Sequence, residues 1–302
     1  MKTAHYHLIA FLVIAAWGTT FAATMILLHN GLSPRDIFFY RFLVAYVAIW
    51  FFGPRRLFAD NFKDEFLLML AGITGGSVYF MAENTALEFT HASNVALLAC
   101  TAPIFTIFLS RFLLKEKIEK NRNLLRGSIL ALAGVVLVTF NGRFLLQMNP
   151  MGDILGLLAA ISWAFYIIVL KLLDGRYSML FITRKVFFYG LLTLLPLFLH
   201  RPLNFNAFVL RQPIIFGNLL YLGLAASLIC YFFWNIVVKR LGAVRASYYI
   251  YLAPVVTMAT AVVILNETIT FMAVAGAILI LAGVALAEKQ KTDKKQVLDP
   301  GS

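Results

Sequence analysis

The sequence predicts an all-α integral membrane protein, with ten transmembrane helices arranged as two inverted five-helix repeats around a central cavity. Three observations predict it. Of 302 residues, 61% are hydrophobic and only 13% are charged, more apolar sequence than a soluble domain of this length hides in one core. The apolar residues fall into ten runs near the length of about 20 residues that spans a bilayer. The chain also repeats itself at a constant offset of 151 positions: Phe80 matches Tyr231, Asn84 matches Asn235, Ala102-Pro103 matches Ala253-Pro254, and Glu116 matches Glu267. A further match, Gly127/Gly134 with Gly276/Gly283, has an offset of 149. Five is an odd number of crossings, so two such units in series traverse the bilayer in opposite senses. Secondary transporters use this plan and bind solute near the midplane between the halves.

The first five spans read as His7–Leu28, Pro34–Phe52, Glu65–Leu87, Ser93–Leu113 and Leu124–Phe140. The second five read as Met151–Leu172, Met179–Leu199, Pro213–Val237, Val244–Leu265 and Phe271–Ala287. The repeats therefore occupy residues 1–145 and 146–288. The first span could pass for a signal peptide, with Lys2 followed by an apolar run. Trp17 argues for retention, because Trp163 stands at the matching point of the second repeat. Residues 289–302 are charged, lack an apolar period and predict a disordered cytoplasmic tail; the final Asp-Pro-Gly-Ser reads as a cloning remnant.

Lys and Arg in the connections set the orientation. With a cytoplasmic N-terminus, 19 of the 26 basic residues fall inside, while Arg35, Arg143, Arg201 and Arg211 fall outside. Both termini are therefore expected in the cytoplasm of a multi-pass plasma (inner) membrane protein. The net charge of +12 belongs to these short connections, so no nucleic-acid partner is expected. The expected partners are a small-molecule substrate and the lipid bilayer, with a monomer plausible. Cys100 and Cys230 sit singly in apolar runs, and the five histidines show no ligand spacing. No metal or cofactor is expected.

Both repeats carry an Ala-Pro, an apolar stretch and then a Glu: APIFTIFLSRFLLKEKI and APVVTMATAVVILNETI. Pro34 precedes Arg41 by seven residues in SPRDIFFYRFLVA, and each repeat closes on a Gly-rich helix, GSILALAGVVLV and GAILILAGVAL. In these features the chain resembles the EamA-type branch of the drug/metabolite transporter superfamily over nearly its whole length. The resemblance implies a ten-helix exporter of metabolites, amino acids among them. It also implies that helices 1, 3, 4, 6, 8 and 9 line a central cavity.

Glu83 lies well inside the third span, where a carboxylate facing lipid costs at least a few kcal/mol. It predicts a substrate-binding or proton-coupling group facing the interior, or else a helix-packing carboxyl. Tyr79 shares its face at i, i+4 spacing. Asn84 and Asn235 read as paired amides that join helices, with substrate hydrogen bonding as the alternative. Trp17, Trp163, Tyr166, Tyr231, Tyr248 and Tyr251 are candidates for a cavity wall, since each offers an apolar face and one polar group. Trp234 is a weaker candidate near a cytoplasmic end. Pro103 and Pro254 free a backbone carbonyl and predict kinks or hinges. Arg41 and Arg184 lie about seven residues inside their helices, roughly 10 Å deep. They read as structural anchors that snorkel or bond a facing helix end, with substrate carboxylate as the alternative. Glu116 and Glu267 read as structural caps on the next helix.

The function expected is secondary transport of small organic solutes by alternating access, most simply export of amino acids or similar amphipathic molecules. A channel-like facilitator is the alternative. An intramembrane enzyme would need clustered catalytic groups, and Glu83 stands without a second carboxylate beside it. No P-loop motif points to direct ATP drive.

Overall fold

The computed structural model describes residues 3–53, 56–90, 92–115, 122–140, 149–173, 175–200, 203, 207–265 and 270–288. Glu116, Glu267 and the tail after residue 288 lie outside them. All regular structure in the described residues is helical. The first half holds α1 (Thr3–His29), α2 (Pro34–Ile49), α3 (Phe62–Gly72) and α4 (Val78–Phe89), α5 (Ala92–Ala99) and α6 (Ala102–Leu113), and α7 (Arg122–Phe140). The second holds α8 (Pro150–Leu172), α9 (Met179–Leu194), the short α10 (Leu197–His200) and α11 (Ala207–Leu210), and α12 (Pro213–Leu220) with α13 (Cys230–Leu241). It closes with α14 (Ala243–Tyr248), α15 (Ala253–Leu265) and α16 (Phe271–Glu288).

Local sequence fixes the helix starts. Ser33, Asn61, Asn149 and Ser178 each cap a helix by accepting from a backbone N–H two or three residues on, as at Asn61 and Asp64 (2.8 Å), which satisfies donors a helix start leaves open. Pro34, Pro150 and Pro213 stand in first turns, where a missing N–H costs nothing. Gly242 turns the chain from α13 into α14 at φ 86°, a conformation other residues resist.

Among the described residues, six helical stretches are long and apolar enough to cross a membrane, with shorter apolar helices at Leu125–Leu137 and Val274–Leu286. Large apolar side chains also cover the outside, among them Leu8, Phe11 and Leu12 on α1 and Phe216, Ile229 and Phe233 on the second half. A protein with an apolar exterior as well as an apolar core needs lipid around it. The chain is a multi-pass membrane protein.

Two kinds of irregularity recur at the repeat offset. Between α3 and α4 the backbone is π-helical over Ile73–Ser77, and between α12 and α13 it is π-helical over Tyr221–Ile229. Shifting the first by 151 gives 224–228, inside the second. Likewise the helix breaks at Cys100-Thr101 between α5 and α6, and tightens to a 3-10 turn over Tyr249–Leu252 between α14 and α15. Both breaks run straight into Ala-Pro, so Pro103 and Pro254 open new helical segments and do not interrupt one.

The last helices of the two halves pack on each other. A Cβ on Gly134 of α7 would come within 2.5 Å of the Gly276 carbonyl oxygen, and one on Gly283 of α16 within 2.5 Å of the Ala131 nitrogen. The backbones touch because both surfaces are bare. Gly134→Leu is expected to lower the unfolding midpoint in detergent markedly, since the intruding atoms meet backbone that cannot yield.

Candidate functional site

α1, α2, α4, α5, α6, α8, α13 and α15, with the 3-10 turn, surround a cavity at the seam of the two halves. The space between its walls is about 630 Å³ with open solvent at its mouth included, of which about 60 Å³ is open to the centres of water-sized molecules. Much of the wall is made of repeat-equivalent pairs: Phe80 and Tyr231, Ala99 and Ile250, Ala102 and Ala253, with Trp17 and Trp163 between them. The Ala residues lie at the helix breaks before Pro103 and Pro254, where a small side chain leaves room.

The tryptophans meet at the centre. The Trp17 and Trp163 rings are edge to face at 5.1 Å, and Trp17 also touches Tyr231 (5.8 Å) and Trp234 (5.2 Å). Tyr79 and Tyr166 pack on Trp163, each at 5.0 Å. Such pairs add about 0.5–1.5 kcal/mol each beyond burial, so the wall is stiff.

The π-helical segments hold this wall from behind. A π turn leaves backbone groups without their ordinary partners, and side chains from the opposite half supply them. Trp17 Nε1 donates to the Ala226 carbonyl (2.8 Å), and Tyr231 Oη donates to the Gly75 carbonyl (2.5 Å). Gly75 and Ala226 are themselves 151 positions apart. Ser162 adds a bond to the Thr74 carbonyl (2.7 Å).

The charges break this symmetry. Glu83 and Arg41 both line the cavity, and both are more than nine-tenths buried. Glu83 Oε1 accepts from Tyr79 Oη at 2.6 Å. Arg41 donates from Nε to Ser227 Oγ at 3.0 Å and lies over the Phe80 ring at 4.1 Å. The repeat counterpart of Glu83 is Trp234. The near counterpart of Arg41, Arg184, sits elsewhere: it bonds the Arg56 carbonyl and stacks on Trp50 at 4.5 Å.

The remaining candidates lie behind or beside the cavity. Asn84 donates to the Pro34 carbonyl (3.2 Å), joining α4 to α2. Asn235 accepts from Tyr166 (2.6 Å) and donates to Thr183 (2.8 Å), joining α13 to α8 and α9. Tyr248 and Tyr251 stack on one another at 6.2 Å, and their hydroxyls approach Ser128 of α7. Ile250 and Ala253, on the other face of that stretch, reach the cavity in their place. The resemblance did not include helix 2 among the cavity helices, yet Arg41 of α2 lines the cavity. A buried Arg on a helix that starts at a Pro-anchored cap carries no mark in sequence of which neighbour it faces. Trp234, read as near a helix end, is fully buried in the aromatic cluster.

At the other end of α3 lies a second polar cluster. Glu65 pairs with Lys185 and accepts from Tyr189 of α9 and from the Ala59 N–H. Asp64 pairs with Arg176 and accepts from Tyr177 (2.8 Å). The counterparts of Asp64 and Lys185 in the other half are apolar, Ile215 at offset 151 and Phe42 at offset 143. No group of three or more His, Cys, Asp or Glu among the described residues is placed to hold a metal.

The model of the EamA-like transporter family matches residues 5–140 and again residues 150–288. The chain belongs to the EamA-like transporter family. This EamA-like protein is 28% identical to an uncharacterized transporter of Archaeoglobus fulgidus, covering 93% of this chain and 96% of that one. It is 30% identical to a probable amino-acid metabolite efflux pump of Salmonella typhimurium, over 91% of this chain and 92% of the pump. A probable terminal-alkyne amino-acid exporter of Streptantibioticus cattleyicolor is 27% identical over 94% of both. A crystal structure superposes with a TM-score of 0.75 at 19% identity, over 94% of this chain and 98% of the other, which shows the shared fold. Family and fold make this chain a membrane transporter of small molecules.

Proposed function

We propose that this EamA-like transporter exports small amphipathic metabolites, amino acids or their close relatives, across the inner membrane by alternating access. Ten helices in two inverted repeats, residues 1–145 and 146–288, would rock about the aromatic cavity, with both termini in the cytoplasm. The observation that carries the reading is the cavity itself: walls of repeat-equivalent residues at the seam, an apolar aromatic lining, and two charged groups. The recurrence of the π segments and of the pre-proline breaks at the repeat offset supports the inverted arrangement. The names of the Salmonella and Streptantibioticus relatives support an amino-acid substrate. Solute and lipid are the proposed partners, and the unit is proposed to work as a monomer.

Reconstituted protein preloaded with an unlabelled aliphatic or aromatic amino acid should draw labelled amino acid inward above its equilibrium level. Flux that neither saturates nor shows counterflow is channel behaviour and rejects the carrier. Orientation is tested separately. A single cysteine beside Lys289 should resist a membrane-impermeant maleimide applied to intact cells, and efficient labelling there rejects cytoplasmic termini.

A further inference from the structure

We infer that the cavity recognises the zwitterionic head of an α-amino acid, with Arg41 taking the carboxylate and Glu83 the ammonium. The inference rests on the transporter reading and names the groups that select its substrate.

Arg41 and Glu83 each have one position anchored and one left for a ligand. Arg41 spends Nε on Ser227, and its plane is held over Phe80 at 4.1 Å. No described residue bonds its two Nη nitrogens. A guanidinium fixed at Nε presents the remaining fork in a set direction, the geometry that grips a carboxylate with two bonds. Glu83 spends Oε1 on Tyr79 at 2.6 Å, and Oε2 has no partner among the described residues. Burying either charge is expensive unless something pairs with it. The two do not form an ion pair with each other. Arg41 lies over Phe80, and Phe80 is three residues before Glu83 on the same helix. The opposite charges therefore open on one stretch of the cavity wall. A zwitterionic head, with carboxylate and ammonium on one carbon, can bridge two such groups, each by its own charge-assisted hydrogen bonds.

The apolar walls come in repeat-equivalent pairs, whereas both charges come from the first half. A solute with one polar end and one apolar end fits such a site in one orientation. Its head lies between α2 and α4, and its side chain points towards Trp17, Trp163 and Tyr231 of the aromatic wall.

The test is a cycle of ligand and protein deletions, read by tryptophan fluorescence of purified protein in nanodiscs, since Trp17 and Trp163 line the cavity. The probes are L-phenylalanine, 2-phenylethylamine, which lacks the carboxylate, and 3-phenylpropionate, which lacks the ammonium. The native protein should bind phenylalanine about ten- to a hundredfold more tightly than either analogue, the worth of one charged hydrogen-bonded contact. Arg41→Gln should weaken phenylalanine to the level of phenylethylamine while leaving phenylethylamine unchanged. Glu83→Gln should weaken phenylalanine to the level of phenylpropionate without weakening phenylpropionate. Arg41→Lys keeps the cation without the fork; it should fold as the native protein does and fall between native and Gln. Equal native affinity for all three probes overturns the inference, as does no saturable signal with any of them. So does a variant that weakens all three alike, which is the mark of a bracing role. The transporter reading fails on a different measurement: counterflow absent from native protein that binds phenylalanine overturns transport and leaves head-group recognition standing.

Discussion

Glu65→Ala is expected to destabilise the protein by about 3–5 kcal/mol, the usual cost of stripping one partner from a buried ion pair. Lys185 keeps only 5% side-chain exposure, and Glu65 is its one carboxylate partner among the described residues. The same carboxylate also accepts from Tyr189 and from the Ala59 N–H, so its loss leaves an ammonium, a hydroxyl and an amide unpaired at once. Double replacement, Glu65→Leu with Lys185→Met, should recover much of the loss, because an apolar pair of similar volume removes the stranded charge. Thermal unfolding in detergent reads both. A double variant no better than Glu65→Ala would mean that the pair is not what holds α3 to α9.

The second large effect belongs to Gly75. A Cβ there would enter the ring of Tyr166. Tyr166 is fully buried and bonded to Asn235 at 2.6 Å, so it has nowhere to go without breaking that bond. Gly75→Val should cost about 1–3 kcal/mol or more from overpacking and should abolish counterflow, because Tyr166 packs directly on Trp163 of the cavity wall. Gly217 is the control: nothing lies within 4 Å of its Cβ position, and Gly217→Ala should be neutral or stabilising, since Ala favours helix over Gly. Nearly normal transport by Gly75→Val would show that the wall adapts.

Much of the fold was legible because repetition is a global signal. The 151-residue offset survives any error in a helix boundary, and hydropathy marks apolar runs whatever their neighbours. Two features were hidden. The π-helical segments have no compositional mark: ITGGS and YLGLAASLI read as ordinary helix, and only the donors that reach their carbonyls from across the bundle make the wider turn worthwhile. The facing of single side chains was also hidden. Tyr248 and Tyr251 have the chemistry of a cavity wall, yet helical spacing places them against α7 and turns Ile250 and Ala253 inward. Arg41 and Arg184 sit at similar depth in matching helices, and their partners differ because Ser227 and Phe80 face one while Trp50 and the Arg56 carbonyl face the other. Glu83 stands out in the sequence by its cost in lipid, which does not depend on its neighbours.

The bonds behind the cavity wall bear on how the gene can be divided. Trp17 of the first half closes the Ala226 carbonyl of the second, Tyr231 and Ser162 of the second close Gly75 and Thr74 of the first, and α7 rests on α16. Neither half is chemically finished alone, and the seam between them falls after α7 and before α8. Two open reading frames, one ending near residue 145 and the other starting there, are expected to yield working transporter when expressed together and degraded fragments when expressed apart. Each half would then act as the folding template of the other, since each supplies donors to the other's backbone.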